Sequence, residues 1–137
     1  MKVIIDTNLW ISFLIGHQTQ FLRLLLTDTR FDVYVCNQLI DEICKVAKRD
    51  KIQKYISPSD VDDLLSIINS FCQFESIKAV APSSAIRDPK DLYLLSLAET
   101  ICADFIVSGD ADLTDLERYK RTRILKLADF KAMMPSI

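Results

Sequence analysis

Five acidic residues, Asp6, Glu42, Asp91, Asp110 and Asp112, sit where a strand pattern ends or a helical pattern begins. Asp6 closes the apolar run Val3-Ile4-Ile5, and Asp110 follows Phe105-Ile106-Val107-Ser108-Gly109. Glu42 and Asp91 fall at the openings of helical patterns over Leu39–Lys48 and Lys90–Ile101. If the strands between them run parallel, all five carboxylates gather at one edge of one sheet. Carboxylates held close together cannot all stay ionised without cations, so the arrangement reads as a divalent-metal site. An all-carboxylate donor set suits Mg²⁺ or Mn²⁺, whereas zinc favours Cys and His. Hard cations in turn favour phosphates, and the chemistry that follows is metal-assisted phosphodiester hydrolysis.

Neighbouring acids sort by helix phase and capping. At about 100° per residue, Glu42 flanks the stripe of Leu39, Ile43 and Val46, while Asp41 points nearly the opposite way. Asp88 before Pro89 makes an N-cap with proline at the first helical position. Asp91 is then in line with Leu94, Leu95 and Ala98, and an inward carboxylate needs partners. For Asp6 the competing role is a helix cap, and for Glu42 it is favourable contact with a helix dipole. Gly109 lets the backbone turn tightly before Asp110. Asp112 rests on proximity to Asp110, and Asp104 and Asp115 read as surface charges.

Other chemistries find no support. The sequence lacks a Gly-rich phosphate loop, a GxSxG elbow and an HExxH pair. His17, the one histidine, reads as a loop or surface residue. Cys36, Cys44, Cys72 and Cys102 have no CxxC spacing and read as reduced thiols in the core. A formal charge of −2 and a pI near 5.3 argue against general affinity for nucleic acid. Lys45, Lys48 and Arg49, with Lys51 and Lys54, form the notable basic cluster, after Glu42 on the same helix, where a nucleic-acid backbone could be held. The competing reading is a solvated helix end.

The elements that must position these groups alternate. Strands are predicted at Lys2–Ile5, Phe31–Cys36, Gln73–Val80, Asp104–Ser108 and Thr122–Leu125, most of them apolar on both faces, as in parallel sheets covered by helices. Glu75 and Lys78 interrupt the third. Helical patterns run through Leu9–Leu26 with a break at Gly16-His17, through Leu39–Lys48, from Ser57 or Ser59 to Phe71, through Lys90–Ile101, and near Ala128–Met133. This alternation implies an α/β fold, a three-layer α/β/α sandwich on a mainly parallel sheet of about five strands. Ligands of such sheets bind beyond the carboxyl ends of the strands. Trp10, Phe13, Leu14, Phe21 and Leu22 make the first helical region unusually apolar, either as a partner-facing surface or as filling for one face of the sheet.

With 137 residues, half of them hydrophobic, the chain has the size and core of one domain spanning 1–137. The apolar runs are too short for a membrane span, and the first residues lack a signal-peptide pattern, so a cytoplasmic location is expected.

Val3-Ile4-Ile5-Asp6-Thr7-Asn8, Leu39-Ile40-Asp41-Glu42-Ile43, Arg87-Asp88-Pro89-Lys90-Asp91 with Leu94 and Ala98, and Ala103–Leu113 together resemble the PIN-domain pattern, in order and spacing over nearly the whole chain. The branch they resemble most is the VapC-like toxin component of toxin–antitoxin pairs. The resemblance implies a Mg²⁺- or Mn²⁺-dependent endoribonuclease, a homodimer, and inhibition by a small antitoxin. By position, Asp6, Glu42, Asp91 and Asp110 match the acidic quartet and Asp112 an acid often beside it. Ser108 stands where threonine is common. Lys90 stands where an acid is common, lowering the negative charge or supplying a phosphate contact.

Two other classes compete. A catalytically silent PIN-like module would bind RNA or a protein without cutting, and the intact quartet counts against it. A phosphoaspartate hydrolase or receiver domain would need acids that are missing: Asp6-Thr7-Asn8 lacks a second Asp, and none closes the third strand.

Overall fold

Val3, Ile4 and Ile5 are almost wholly shielded from solvent, which a strand achieves only with both faces covered. In a computed structural model of the chain, residues 1–16 and 19–136 are described. His17 lies outside the described residues. The elements in chain order are β1 (Lys2–Ile5), α1 (Thr7–Ile15), α2 (Thr19–Thr27), β2 (Asp32–Val35), α3 (Asn37–Ala47), α4 (Asp50–Gln53), α5 (Pro58–Phe71) and β3 (Gln73–Phe74). A 3-10 turn over Pro89–Asp91 then leads into α6 (Leu92–Ile101), β4 (Phe105–Val107), α7 (Ala111–Thr114), β5 (Arg118–Tyr119), β6 (Thr122–Leu125) and α8 (Leu127–Met133). The architecture is the expected α/β sandwich of a mostly parallel sheet flanked by helices.

The strand order is β3-β2-β1-β4-β6-β5. Every pairing is parallel except β5 with β6. The chain builds outward from β1 through β2 to β3, then returns to β4 on the other side. Strand order therefore switches between β1 and β4, where the connections diverge, the place at which ligands of open α/β sheets bind. Ile5, Val107 and Leu125 stand in one row across β1, β4 and β6. The ladder continues one residue further, with Asp6 N–H donating to Val107 O at 3.0 Å and Ser108 N–H to Leu125 O at 2.9 Å. Asp6 and Ser108 are thereby fixed side by side at this switch point.

Packing holds this edge from below. Trp10, Phe13 and Leu22 are buried, and Leu14 and Phe21 pack against the core. Most of the apolar first helical region thus fills the interior, while Leu24 stays exposed. Trp10 Nε1–H donates to Ile5 O at 3.1 Å, tying α1 to the residue before Asp6. At the opposite edge, Asp104 accepts from Lys2 N–H at 2.8 Å and from Arg121 at 3.1 Å, so this acid anchors the start of β1 rather than being a free surface charge.

Three local expectations are corrected. The third strand covers Gln73–Phe74 instead of Gln73–Val80. Beyond Glu75, the backbone N–H groups of Lys78 and Ala79 turn to Thr100 Oγ1, each at 3.0 Å, and that of Ala81 to Ser96 Oγ at 2.9 Å. Hydroxyls on α6 satisfy donors that a neighbouring strand would otherwise have taken. A sixth strand, β5, forms a short hairpin with β6 without glycine. Glu117 and Lys120 supply its positive φ angles, 60° and 51°. Of the four cysteines, all free, Cys36 and Cys72 are buried, Cys44 is half-buried, and Cys102 is exposed at the left-handed end of α6.

Candidate active site

Asp6 emerges from β1 with only 4% of its surface exposed. Its position is the N-cap of α1, yet its side chain makes no cap bond. Oδ2 instead accepts from Ser108 Oγ–H at 2.7 Å. Burial pushes the Asp6 carboxyl above its ordinary value. The hydrogen bonds from Ser108 and the Thr7 backbone act against that shift, and the charges of Asp110 and Glu42 add to it.

Ser108 also accepts, from the backbone N–H of Asp110 at 3.0 Å, and Asp110 Oδ1 accepts from Asp112 N–H at 2.9 Å to cap α7. These two side-chain turns shape the loop. Gly109 does not have a positive φ, and a Cβ added there would meet nothing within 4 Å. The tight-turn role expected of this glycine is therefore taken by Ser108 and Asp110.

Asp88 caps the 3-10 turn by accepting from Lys90 N–H at 3.0 Å, with Pro89 following. That turn carries Asp91 toward the buried face of Leu94, Leu95 and Ala98. Asp91 Oδ2 is buried with no hydrogen-bond partner among the described residues. Burial is the main cause that raises the Asp91 carboxyl to about 7. Contact with the Asp110 carboxyl, which only a protonated acid can hydrogen-bond, and the charges of Asp6, Asp110 and Asp88 add to it.

Glu42 is half-buried on the second turn of α3 while Asp41 is exposed, as their helix phase requires. The charge of Glu42 acts on both Asp6 and the Tyr93 phenol. Tyr93 and Thr7 are components that sequence reasoning missed. Their hydroxyls lie 3.2 Å apart beside Asp6, and burial raises the Tyr93 phenol. Tyr93 lies two residues after Asp91, a spacing that gave no signal.

The structure thus brings Asp6, Asp91 and Asp110 within electrostatic reach of one another at the switch between β1 and β4, while Glu42 reaches Asp6 from α3. Asp112 stands on the rim, paired with Arg87 at 2.8 Å. Lys90, Lys45, Lys48 and Arg49 are exposed. Lys45 is about one turn past Glu42, and Lys48 lies roughly 9 Å from Glu42 along the axis by helix rise.

An all-carboxylate set with one orphaned buried oxygen fits a hard divalent cation by donor type. Among the described residues, no three His, Cys, Asp or Glu side chains are grouped closely enough to hold a metal ion. Nor is any described helix long and apolar enough to cross a membrane.

The fold is a mostly parallel α/β sandwich with acids at the switch point of its strand order. The PIN domain family matches residues 2–112, and the chain belongs to that family. Its fold is similar to that of a chain in the crystal structure of VapBC2 from Rickettsia felis bound to a DNA fragment from its promoter. That match has a TM-score of 0.60 and 16% identity, covering 90% of this chain and 97% of the other. It is also similar to the PIN domain of human SMG5, with a TM-score of 0.53 and 16% identity over 98% of this chain and 99% of the other. No curated protein sequence matches. These structural likenesses are likenesses of fold.

Proposed function

We propose that this PIN domain is a metal-dependent endoribonuclease that hydrolyses RNA phosphodiester bonds. The observation that carries the reading is Asp91 Oδ2, a buried carboxylate oxygen without a partner beside Asp6 and Asp110. Burying such an oxygen is costly unless something of opposite charge completes it. Asp6, Glu42, Asp91 and Asp110 would hold Mg²⁺ or Mn²⁺, with Asp112 joining from the rim. When bound, the ion lowers the pKa of an attacking water and stabilises charge on the phosphate.

The chain's own residues prepare that site. Ser108 orients Asp6 and ties it to the Asp110 backbone. The Asp88 cap and Pro89 fix the turn that presents Asp91. Thr7 and Tyr93 close the side of Asp6 toward α6 and limit water there. Lys90 and Lys45 flank the acids as candidate phosphate contacts, with Lys48 and Arg49 further along the path.

Within the family, the motif resemblance to the toxin branch supports a role as the toxin of a type II pair, with a small antitoxin as partner and a second copy of the chain as a dimer mate. A cytoplasmic location is part of this reading. One observation favours the silent alternative, a PIN-like module that binds RNA or protein without cutting: no three acids among the described residues stand close enough to grip one ion.

Incubation of the purified chain with total RNA and Mn²⁺, with and without chelator, separates the two. Cleavage that needs the metal and disappears in Asp6→Ala and Asp91→Ala supports the nuclease. Cleavage retained by both variants refutes this site, and RNA binding with no cleavage by wild type supports the silent module.

A further inference from the structure

We infer that Arg87 is an RNA-phosphate-binding residue of the acidic edge, held in reserve by Asp112. This inference rests on the nuclease reading and adds a substrate contact to it. Arg87 is in the loop before the Asp88 cap, four residues from Asp91. Its Nη2 reaches Asp112 Oδ1 at 2.8 Å and Asp115 Oδ2 at 3.8 Å, bridging from that loop to α7. Its side chain is nevertheless 76% exposed, and those of Asp112 and Asp115 are 32% and 71% exposed. An ion pair so open to water adds little to stability, so fold maintenance does not explain it.

Position and chemistry point to an exchangeable pair. Both contacts use one nitrogen of the guanidinium, so much of its five-donor fork stays open toward solvent. That planar fork matches phosphate in a way an ammonium does not. Asp112 N–H is hydrogen-bonded to the Asp110 carboxyl, so Arg87 ends on the α7 turn that carries Asp110, one of the acids that would meet the scissile group. A phosphate at this edge is a better partner for the fork than a half-exposed carboxylate, and its arrival frees Asp112 to face a cation. The acidic edge also repels an RNA backbone, so a cation on its rim is needed to hold the strand.

The test uses the full chain and a labelled single-stranded RNA oligonucleotide with Mn²⁺. Arg87→Ala is expected to raise KM about tenfold, the effect of losing one charge-assisted hydrogen bond, with kcat changed much less. Binding measured in an Asp6→Asn background is expected to show a salt slope shallower by about 0.7, the share of one phosphate contact on a single strand. Arg87→Lys keeps the charge and is expected to recover the salt slope but only part of KM. Thermal melting of each variant separates misfolding from lost contact, with Tm expected to stay near wild type. Wild-type cleavage with an unchanged or lowered KM and an unchanged slope in Arg87→Ala overturns the Arg87 assignment while leaving the nuclease reading intact. A wild type that neither cleaves nor binds RNA overturns both.

Discussion

Ser108 Oγ stands 2.7 Å from Asp6 Oδ2 and 3.0 Å from the backbone nitrogen of Asp110. One hydroxyl thus joins the acid that ends β1 to the acid that begins α7, donating to one and accepting from the other. It is fully buried, so water cannot take its place. Ser108→Ala should leave a buried carboxylate and a backbone N–H without partners, at a cost of about 1–3 kcal/mol. Chemical denaturation checks the loss, and cleavage activity should fall with it because Asp6 is no longer oriented.

Asp91 gives a pH prediction. Its carboxyl rises from 3.8 to about 7 in the folded chain. The folded state therefore keeps a proton that the unfolded state releases, so stability falls as pH rises from about 4 to about 7 and then levels off. Melting curves in chelator should show Tm declining across that window, and Asp91→Asn should flatten the decline. Excess Mn²⁺ should raise Tm most at the upper end, since a ligand that binds only the folded state stabilises it by mass action.

Trp10→Phe removes the donor to Ile5 O and leaves space in a fully buried site. A loss of roughly 2–4 kcal/mol is expected. Circular dichroism melting reads it, and a change below about 0.5 kcal/mol would show that α1 does not anchor the end of β1.

Much of this was legible because β1 and β4 are apolar on both faces, which leaves Asp6 and the residues after Val107 only one place to go. Helix phase separated Glu42 from Asp41, and the Asp88-Pro89 pair separated a cap from Asp91. What escaped depended on contacts distant in sequence. Thr7 meets Tyr93 across 86 residues, and Arg87 meets Asp112 with the whole of α6 and β4 between them in the chain. The β5–β6 hairpin escaped because its positive φ angles fall on Glu117 and Lys120, residues with no turn signature. The basic run through Arg118, Lys120, Arg121, Arg123 and Lys126 escaped with it, although Glu99 and Asp104 neutralise part of it.

Thr100 offers a test away from the site. Its hydroxyl oxygen accepts from the exposed Lys78 N–H and the partly buried Ala79 N–H, so Thr100→Val should release both donors and cost about 0.5–1.5 kcal/mol. Amide hydrogen exchange at Lys78 and Ala79 should accelerate by an order of magnitude or more, while metal-dependent cleavage stays near wild type.

The row that runs from Ile5 through Val107 to Leu125 constrains how this chain can change length. Side chains alternate faces along a strand, so adding or deleting one residue between Lys2 and Asp6 would turn Asp6 to the other side of the sheet. The same holds between Phe105 and Ser108. The connections at the opposite edge, such as the turn around Asp28 and Arg30, carry no such phase requirement. Insertions there leave the acids in register, so length variation among related chains should concentrate at that end.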